Sequence, residues 1–269
     1  MPLFNFVYFF VIGLIVGSFI GAYTFRWQKG ISVLKGRSFC PKCNKTILWY
    51  DNIPLLSFVL LKGCCRFCKK NISLRYPLIE LATGLIFSLI FFNFLSCNIG
   101  LNNETVCFWR EKIGILALPY FLLVAFFLIS IFVTDFEGKI IPDELSYFLF
   151  FLTTLSLIIS PPSDFFLRLF CGFLIASIFL FLNLITRGRG MGFGDSKLVL
   201  FAGVFDWRKV LVWIYLSFII GALVGVLLLL VGKTKFGRQI AFGPFLVIGF
   251  FVTLFWGEAL IKFFLPYLV

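Results

Sequence analysis

The chain has 269 residues, with 24 Lys+Arg, 12 Asp+Glu and no His; 61% of residues are hydrophobic, 13% are charged, and Phe alone occurs 40 times. A soluble globular domain carries about 25% charged and 45–50% apolar residues, so this composition excludes an ordinary soluble enzyme and the disordered and collagen-like classes. Without histidine there is no Ser-His-Asp triad, Cys-His dyad, His-ligated metal or His-held haem, and acid–base chemistry falls to Asp, Glu, Lys, Tyr or Cys.

Uncharged runs cover 1–25, 81–103, 113–134, 145–163, 169–186, 198–205, 210–232 and 239–257. About 20 mostly apolar residues cross the hydrocarbon core, and 17–25 is acceptable. Seven of the runs reach that length and 198–205 does not. The pattern predicts an all-α polytopic membrane protein with about eight transmembrane helices, the sixth over residues 193–208. A half-helix or re-entrant segment is the alternative there, because irregular backbone persists at membrane depth only against protein or water. The first run lacks the positive n-region of a signal peptide and exceeds its 7–15-residue apolar core, so it reads as a retained span. Its Gly13, Gly17, Gly21 series permits close helix contact.

Residues 26–75 hold eleven of the 24 cations against one acid, Asp51. Basic loops stay in the cytoplasm. The first span then runs from outside to inside, and the loops 134–144, 187–197 and 232–238 are cytoplasmic too. The expected layout is transmembrane helix 1 at 1–25, a small cytoplasmic four-cysteine domain at 26–76, and a helical membrane domain with helices 2–8 at 77–269. Basic loops against anionic lipid account for the +12 net charge without nucleic acid.

Within the basic loop, Cys40-x2-Cys43 and Cys65-x2-Cys68 form two knuckles, with Pro41 and Asn44 around the first and Gly63 before the second. This spacing predicts a structural Zn²⁺ held by four thiolates. Reduced thiols are the alternative, since the cytosol disfavours disulfides. Cys64 is surplus and competes with Cys65 as a ligand. Cys97 and Cys107 lie in a loop placed outside, where a disulfide and two free thiols both remain open. Cys171, inside a span, reads as a small buried apolar residue.

Acids within or at the edge of membrane spans are costly, which makes them functional candidates. Asp135 follows 22 uncharged residues, Asp143 and Glu144 follow Pro142, and Asp195 closes Gly190-Met191-Gly192-Phe193-Gly194-Asp195. The predicted topology brings all four to one cytoplasmic depth. Asp143 and Glu144 suit the positive end of a helix dipole. Asp195 has a second reading as a helix N-cap, and Asp135 as an interfacial charge. Yet three glycines in five residues exceed what a cap needs, and they let backbone approach a ligand closely. Two carboxylates sharing a site titrate as a unit: one serves as base on a water while its protonated partner polarises a carbonyl.

Together these segments resemble type IV prepilin peptidases, membrane aspartic peptidases of the GxGD class. The resemblance is carried by Gly17-Ser18-Phe19, Cys40-Pro-Lys-Cys43, Trp49-Tyr-Asp-Asn-Ile-Pro54, Cys65-x2-Cys68 and Arg75-Tyr-Pro-Leu-Ile-Glu80. It continues through Asp135-x5-Ile141-Pro-Asp143, Gly192-Phe-Gly-Asp195-Ser-Lys197 and Phe242-Gly-Pro-Phe245. It implies that Asp135 and Asp195 are the catalytic pair, cutting basic leaders from prepilin or pseudopilin substrates at the cytoplasmic face of the bacterial inner membrane. It also implies N-methylation of the new N-terminus with S-adenosylmethionine, and links the cysteine loop to methylation and to folding around zinc. Glu80 is read either as an ion pair with Arg75 or in methylation, and Asp51 either in local charge pairing or in cofactor contact. Lys197 is read as steadying the dyad or as snorkelling to water. A polytopic transporter with a carboxylate relay is the competing class; the absence of matching sequence halves argues against it.

Overall fold

The computed structural model describes residues 2–33, 36–97, 104–188, 190–232 and 240–264. Among them the regular structure is helical, with two isolated antiparallel bridges, Phe39 with Thr46 and Cys64 with Asn71. The cations expected in the loop 232–238 lie outside the described residues. The chain divides into two compact units, Met1–Phe92 with Phe121–Ser130, and Asn93–Tyr120 with Ile131–Val269.

In the first unit, α1 (Pro2–Gln28) leads into the cysteine loop, which contains a 3-10 turn (Trp49–Asn52) and α2 (Leu56–Leu60), and the chain then enters α3 (Arg75–Ser96). The predicted small-residue stripe is where α1 and α3 meet. A Cβ on Gly13 would lie 2.7 Å from the Gly84 Cα, and one on Gly17 would lie 2.7 Å from the Glu80 Cα, so any side chain there would push the backbones apart. Arg26, buried at the end of α1, donates to the carbonyls of Ser32, Val33, Gly36 and Arg37, which ties the start of the loop to the helix. Arg75 reaches across to the Thr24 hydroxyl at 2.9 Å.

The second unit contains α4 (Glu104–Ile113), the remainder of α5 (Ala117–Gly138), α6 (Asp143–Ile159), α7 (Phe165–Ile185), α8 (Phe193–Leu198), α9 (Trp207–Leu230) and α10 (Gly243–Phe264). Its core is aromatic: Phe201, Phe205, Trp213 and Phe250 are fully buried, and their ring centroids lie 4.9–6.1 Å apart. Cys97 and Cys107 form a disulfide, which resolves the alternatives left by the sequence.

Six stretches among the described residues are long and apolar enough to cross a membrane: Phe4–Gln28, Arg75–Ser96, Thr105–Gly138, Phe165–Ile185, Trp207–Leu230 and Gly243–Phe264. The protein is thus a multi-pass membrane protein, and many large apolar side chains on these helices face outward, Phe166 and Leu230 among them. The helix α6, with 17 residues, is at the lower limit of spanning length. The expected sixth span is not a continuous helix. It consists of the six-residue α8 followed by a 3-10 turn, Val199–Val204, and so takes the half-helix form weighed as its alternative. Its 3-10 turn is buried apart from Leu200, and the closing carbonyl, on Val204, accepts from Trp109 Nε1 at 2.9 Å and from the Arg168 guanidinium at 3.3 Å. Those donors satisfy a helix end that no water reaches.

Candidate active site and metal centre

Asp135 lies one turn before the end of α5, where the Lys139 N–H donates to the Asp135 carbonyl at 2.9 Å and Lys139 adopts a left-handed backbone that ends the helix. Asp195 is the third residue of α8, and its Oδ2 accepts the Gly192 N–H at 3.0 Å. It is therefore not the N-cap itself. It occupies the position whose carboxylate reaches back to the cap, where it also favours the positive helix end.

Both carboxylates are buried, with Asp135 5% and Asp195 4% exposed, and both line one cavity of about 450 Å³. Gly188, Gly190 and Gly192 border the same cavity on one side, and Phe218, Phe242 and Phe245 on another. Among the described residues, Asp135 Oδ2 is buried without a hydrogen-bond partner. An unpaired carboxylate oxygen costs free energy unless a proton, a water or a substrate satisfies it.

Glycine is required at two positions here. A Cβ on Gly243 would lie 2.6 Å from Asp135 Oδ2, and one on Gly194 would lie 2.9 Å from the Ile141 Cβ. The N-terminus of α10 thus abuts the first aspartate, while the backbone of α8 packs on the loop that follows it. Gly243 stands in the last-span segment Phe242–Phe245, to which sequence reading assigned no role at the site. Asn183 was missed altogether. Its Nδ2 donates to the Met191 carbonyl at 2.6 Å and pins the glycine-rich loop to α7. The available signal was a lone amide in the uncharged run 169–186.

Lys197 pairs with an acid that neither sequence reading named. Its Nζ lies 2.6 Å from Asp143 Oδ1 and 4.5 Å from the Phe193 ring centroid. Asp143 and Glu144 occupy the first turn of α6, as the dipole argument anticipated.

In the first unit, the ligand atoms of Cys40, Cys43, Cys65 and Cys68 all lie within 4.8 Å of one another, which suits one metal ion. The two knuckles repeat each other bond for bond. Asn44 N–H donates to the Cys40 carbonyl and Lys69 N–H to the Cys65 carbonyl. Cys40 N–H donates to the Lys45 carbonyl and Cys65 N–H to the Lys70 carbonyl. Asn44 and Lys69, at matching positions, both take positive φ. The N–H of Cys68 in particular holds the Cys65 thiol down to about 7. Cys43 rises to about 11: the Lys45 N–H draws it down, but burial and the Cys40 and Cys68 thiols outweigh that bond. Four neighbouring thiols cannot all ionise without a cation among them, and thiolate is the ligand form. Cys64 stands apart, donating to Asn71 Oδ1 at 3.4 Å, which leaves Cys65 in the cluster.

The two acids considered for cofactor contact differ. Asp51 accepts from Arg66 Nε at 2.8 Å and from a terminal guanidinium nitrogen at 2.6 Å, and this bidentate pairing holds its carboxyl below the usual carboxylate range. Glu80 is buried, and its Oε2 accepts the Leu55 N–H at 2.8 Å.

Residues 11–94 match the bacterial peptidase A24 N-terminal domain, and residues 122–226 match the type IV leader peptidase family. Among curated relatives, a prepilin leader peptidase/N-methyltransferase of Stutzerimonas stutzeri is 30% identical over 92% of this chain and 89% of its own length. A protein of the same name from Bacillus subtilis is 32% identical over 95% of this chain and 96% of its own, and one from Pseudomonas aeruginosa is 29% identical over 96% and 92%. No solved structure matches the chain. With both domains recognised in order and relatives aligned along nearly its full length, the chain belongs to the type IV leader peptidase family.

Proposed function

We propose that this protein is a bifunctional prepilin leader peptidase and N-methyltransferase of the bacterial inner membrane, with Asp135 and Asp195 as its catalytic pair. The observation that carries the reading is the shared cavity: two buried carboxylates, 60 residues apart in sequence, line it together, and one oxygen of Asp135 has no hydrogen-bond partner among the described residues. One carboxylate takes a proton from water as the water oxygen attacks the scissile carbonyl carbon. The other, protonated, donates to the carbonyl oxygen. Collapse of the tetrahedral adduct breaks the C–N bond: the proton held by the first carboxylate passes to the departing amine, and the second carboxylate recovers its proton from the adduct hydroxyl as the carbonyl re-forms. Phe218, Phe242 and Phe245 provide an apolar wall beside the pair, suited to a substrate whose segment after the cut is apolar.

The excess of Lys and Arg in the loops supports a cytoplasmic position for the metal domain and for the aspartates, the side on which prepilin or pseudopilin leaders would be presented. The four-thiol set fits Zn²⁺ in number and ligand type; Cys40, Cys43, Cys65 and Cys68 would hold it as a structural ion. The relatives' names support S-adenosylmethionine as methyl donor. The transporter alternative finds no support in these matches. The test is cleavage of a purified prepilin by the full chain in lipid. Asp135→Asn and Asp195→Asn should each lower the rate by at least about 10³-fold while membrane insertion persists. Normal processing by either variant would overturn the assignment.

A further inference from the structure

We infer that the cavity of about 620 Å³ in the first unit binds the sulfonium methyl donor, and that Glu80 is the group that recognises its positive charge. The inference rests on the methyl-transfer reading above and deepens it by naming the site and the residue.

The cavity is enclosed by the end of α1, the cysteine loop and the start of α3. Its volume lies within the range of small-molecule and cofactor sites, about 300–1,000 Å³. Its wall combines aromatic faces, Phe58, Phe67 and Tyr76, with polar groups such as Asn52 and Ser18. Aromatic faces suit both a planar base and a soft cation.

The charges on the wall are unequal in commitment. Asp51 is occupied by Arg66, Lys42 donates to the Asn71 carbonyl, and Lys45 lies over the Phe67 ring. Arg26 is spent on backbone carbonyls and Arg75 bonds Thr24. Glu80 is different. It is 8% exposed, and its Oε2 accepts the neutral Leu55 N–H at 2.8 Å. Among the described residues no ion pair involves it. A buried carboxylate without a cation is costly unless a ligand supplies one.

Glu80 also braces a strained turn. Leu55 has φ +56° and ψ −47°, with the Leu56 N–H turned back onto the Pro54 carbonyl, a rare γ-turn for a residue other than glycine. The Leu55 N–H held by Glu80 belongs to this turn, which precedes the cavity-lining Ser57 and Phe58. A purely structural role would need the oxygen as acceptor and not the charge, and the two roles are therefore separable.

In the transfer the amine lone pair attacks the methyl carbon, and the C–S electron pair stays on sulfur, giving a neutral thioether. The nitrogen becomes cationic and then releases a proton to water. During the displacement itself positive charge moves from sulfur to nitrogen, and a fixed carboxylate favours both ends of that path before the proton departs.

The experiment is binding of labelled S-adenosylmethionine to the detergent-purified full chain, with S-adenosylhomocysteine, which lacks the charge, as competitor. The wild type should prefer the sulfonium. Glu80→Gln keeps an acceptor oxygen for Leu55; it should bind the thioether unchanged and lose about tenfold for the sulfonium. Glu80→Asp should recover part of the preference. Ser57→Trp, which fills the cavity, should weaken both ligands together. A sulfonium preference that survives Glu80→Gln, or binding of both ligands unaffected by Ser57→Trp, would overturn the site while leaving methyl transfer intact. If the wild type neither binds the donor nor methylates a cleaved prepilin, the methyltransferase reading fails, and this inference with it.

Discussion

Lys197 and Asp143 meet at 2.6 Å across 54 positions of sequence, joining the start of α6 to the helix that carries Asp195. Their side chains are 16% and 58% exposed, so screening limits the pair to about 0–1 kcal/mol. Its value is in register: the lysine fixes α8 two residues from the aspartate. Lys197→Met and Asp143→Asn should each slow leader cleavage by about three- to tenfold and shift Tm by only a few degrees. The double variant should be no worse than either single, a coupling read by a double-mutant cycle on kcat/KM.

Asn183 holds the loop before α8 through the Met191 carbonyl. Asn183→Leu removes that donor and leaves a partly buried acceptor, at a cost of about 1–3 kcal/mol. Because the loop positions Asp195, the expected result is a lower kcat for cleavage with KM changed less. Steady-state kinetics on a prepilin measures the split; a change confined to KM would contradict it.

Gly243 leaves no room for a side chain beside Asp135. Gly243→Ala places a Cβ 2.6 Å from the carboxylate oxygen, so the aspartate or the end of α10 must shift. A displacement near 1 Å at a reacting group costs about 10²-fold in rate, and that is the expected loss of cleavage. Ala at Gly225, where the nearest heavy atom lies 3.8 Å away, should be tolerated and controls for the membrane context.

The metal centre makes a discriminating prediction about adjacent cysteines. Cys65→Ser should lower bound zinc sharply, whereas Cys64→Ser should leave it near one ion per chain, because Cys64 bonds Asn71 instead. Elemental analysis of the purified variants reads this directly. The ligands bind as thiolates, so acidification should release zinc as protons compete for sulfur, and stability of the loop should fall with it.

Much of the candidate site was legible because charge in an apolar run is conspicuous: Asp135 and Asp195 stand out in any hydropathy reading, and the cysteine spacing points to a metal. The segment after Asp195 was harder. Residues 198–205 are uncharged and contain no proline; the shortness of the run, which suggested a half-helix, was the local signal, and it did not locate the break. The break is tertiary, made by Trp109 and Arg168 drawing on the Val204 carbonyl from other helices. Long-range partners were equally hidden. Lys197 was weighed against the dyad and against water, and its actual partner lies at the start of α6; Glu80 was weighed against nearby Arg75, yet it bonds the backbone of Leu55. The Cys97–Cys107 bond was open in the sequence because spacing alone does not report oxidation.

The twin cysteine turns also have a mechanical consequence. An ion gripping both turns would close the intervening stretch, residues 44–64, into a ring, and that ring includes Asp51, Leu55 and Phe58. Its shape would then depend on a single removable fastener, so trace-metal supply becomes a means of stiffening or slackening one half of the molecule from within.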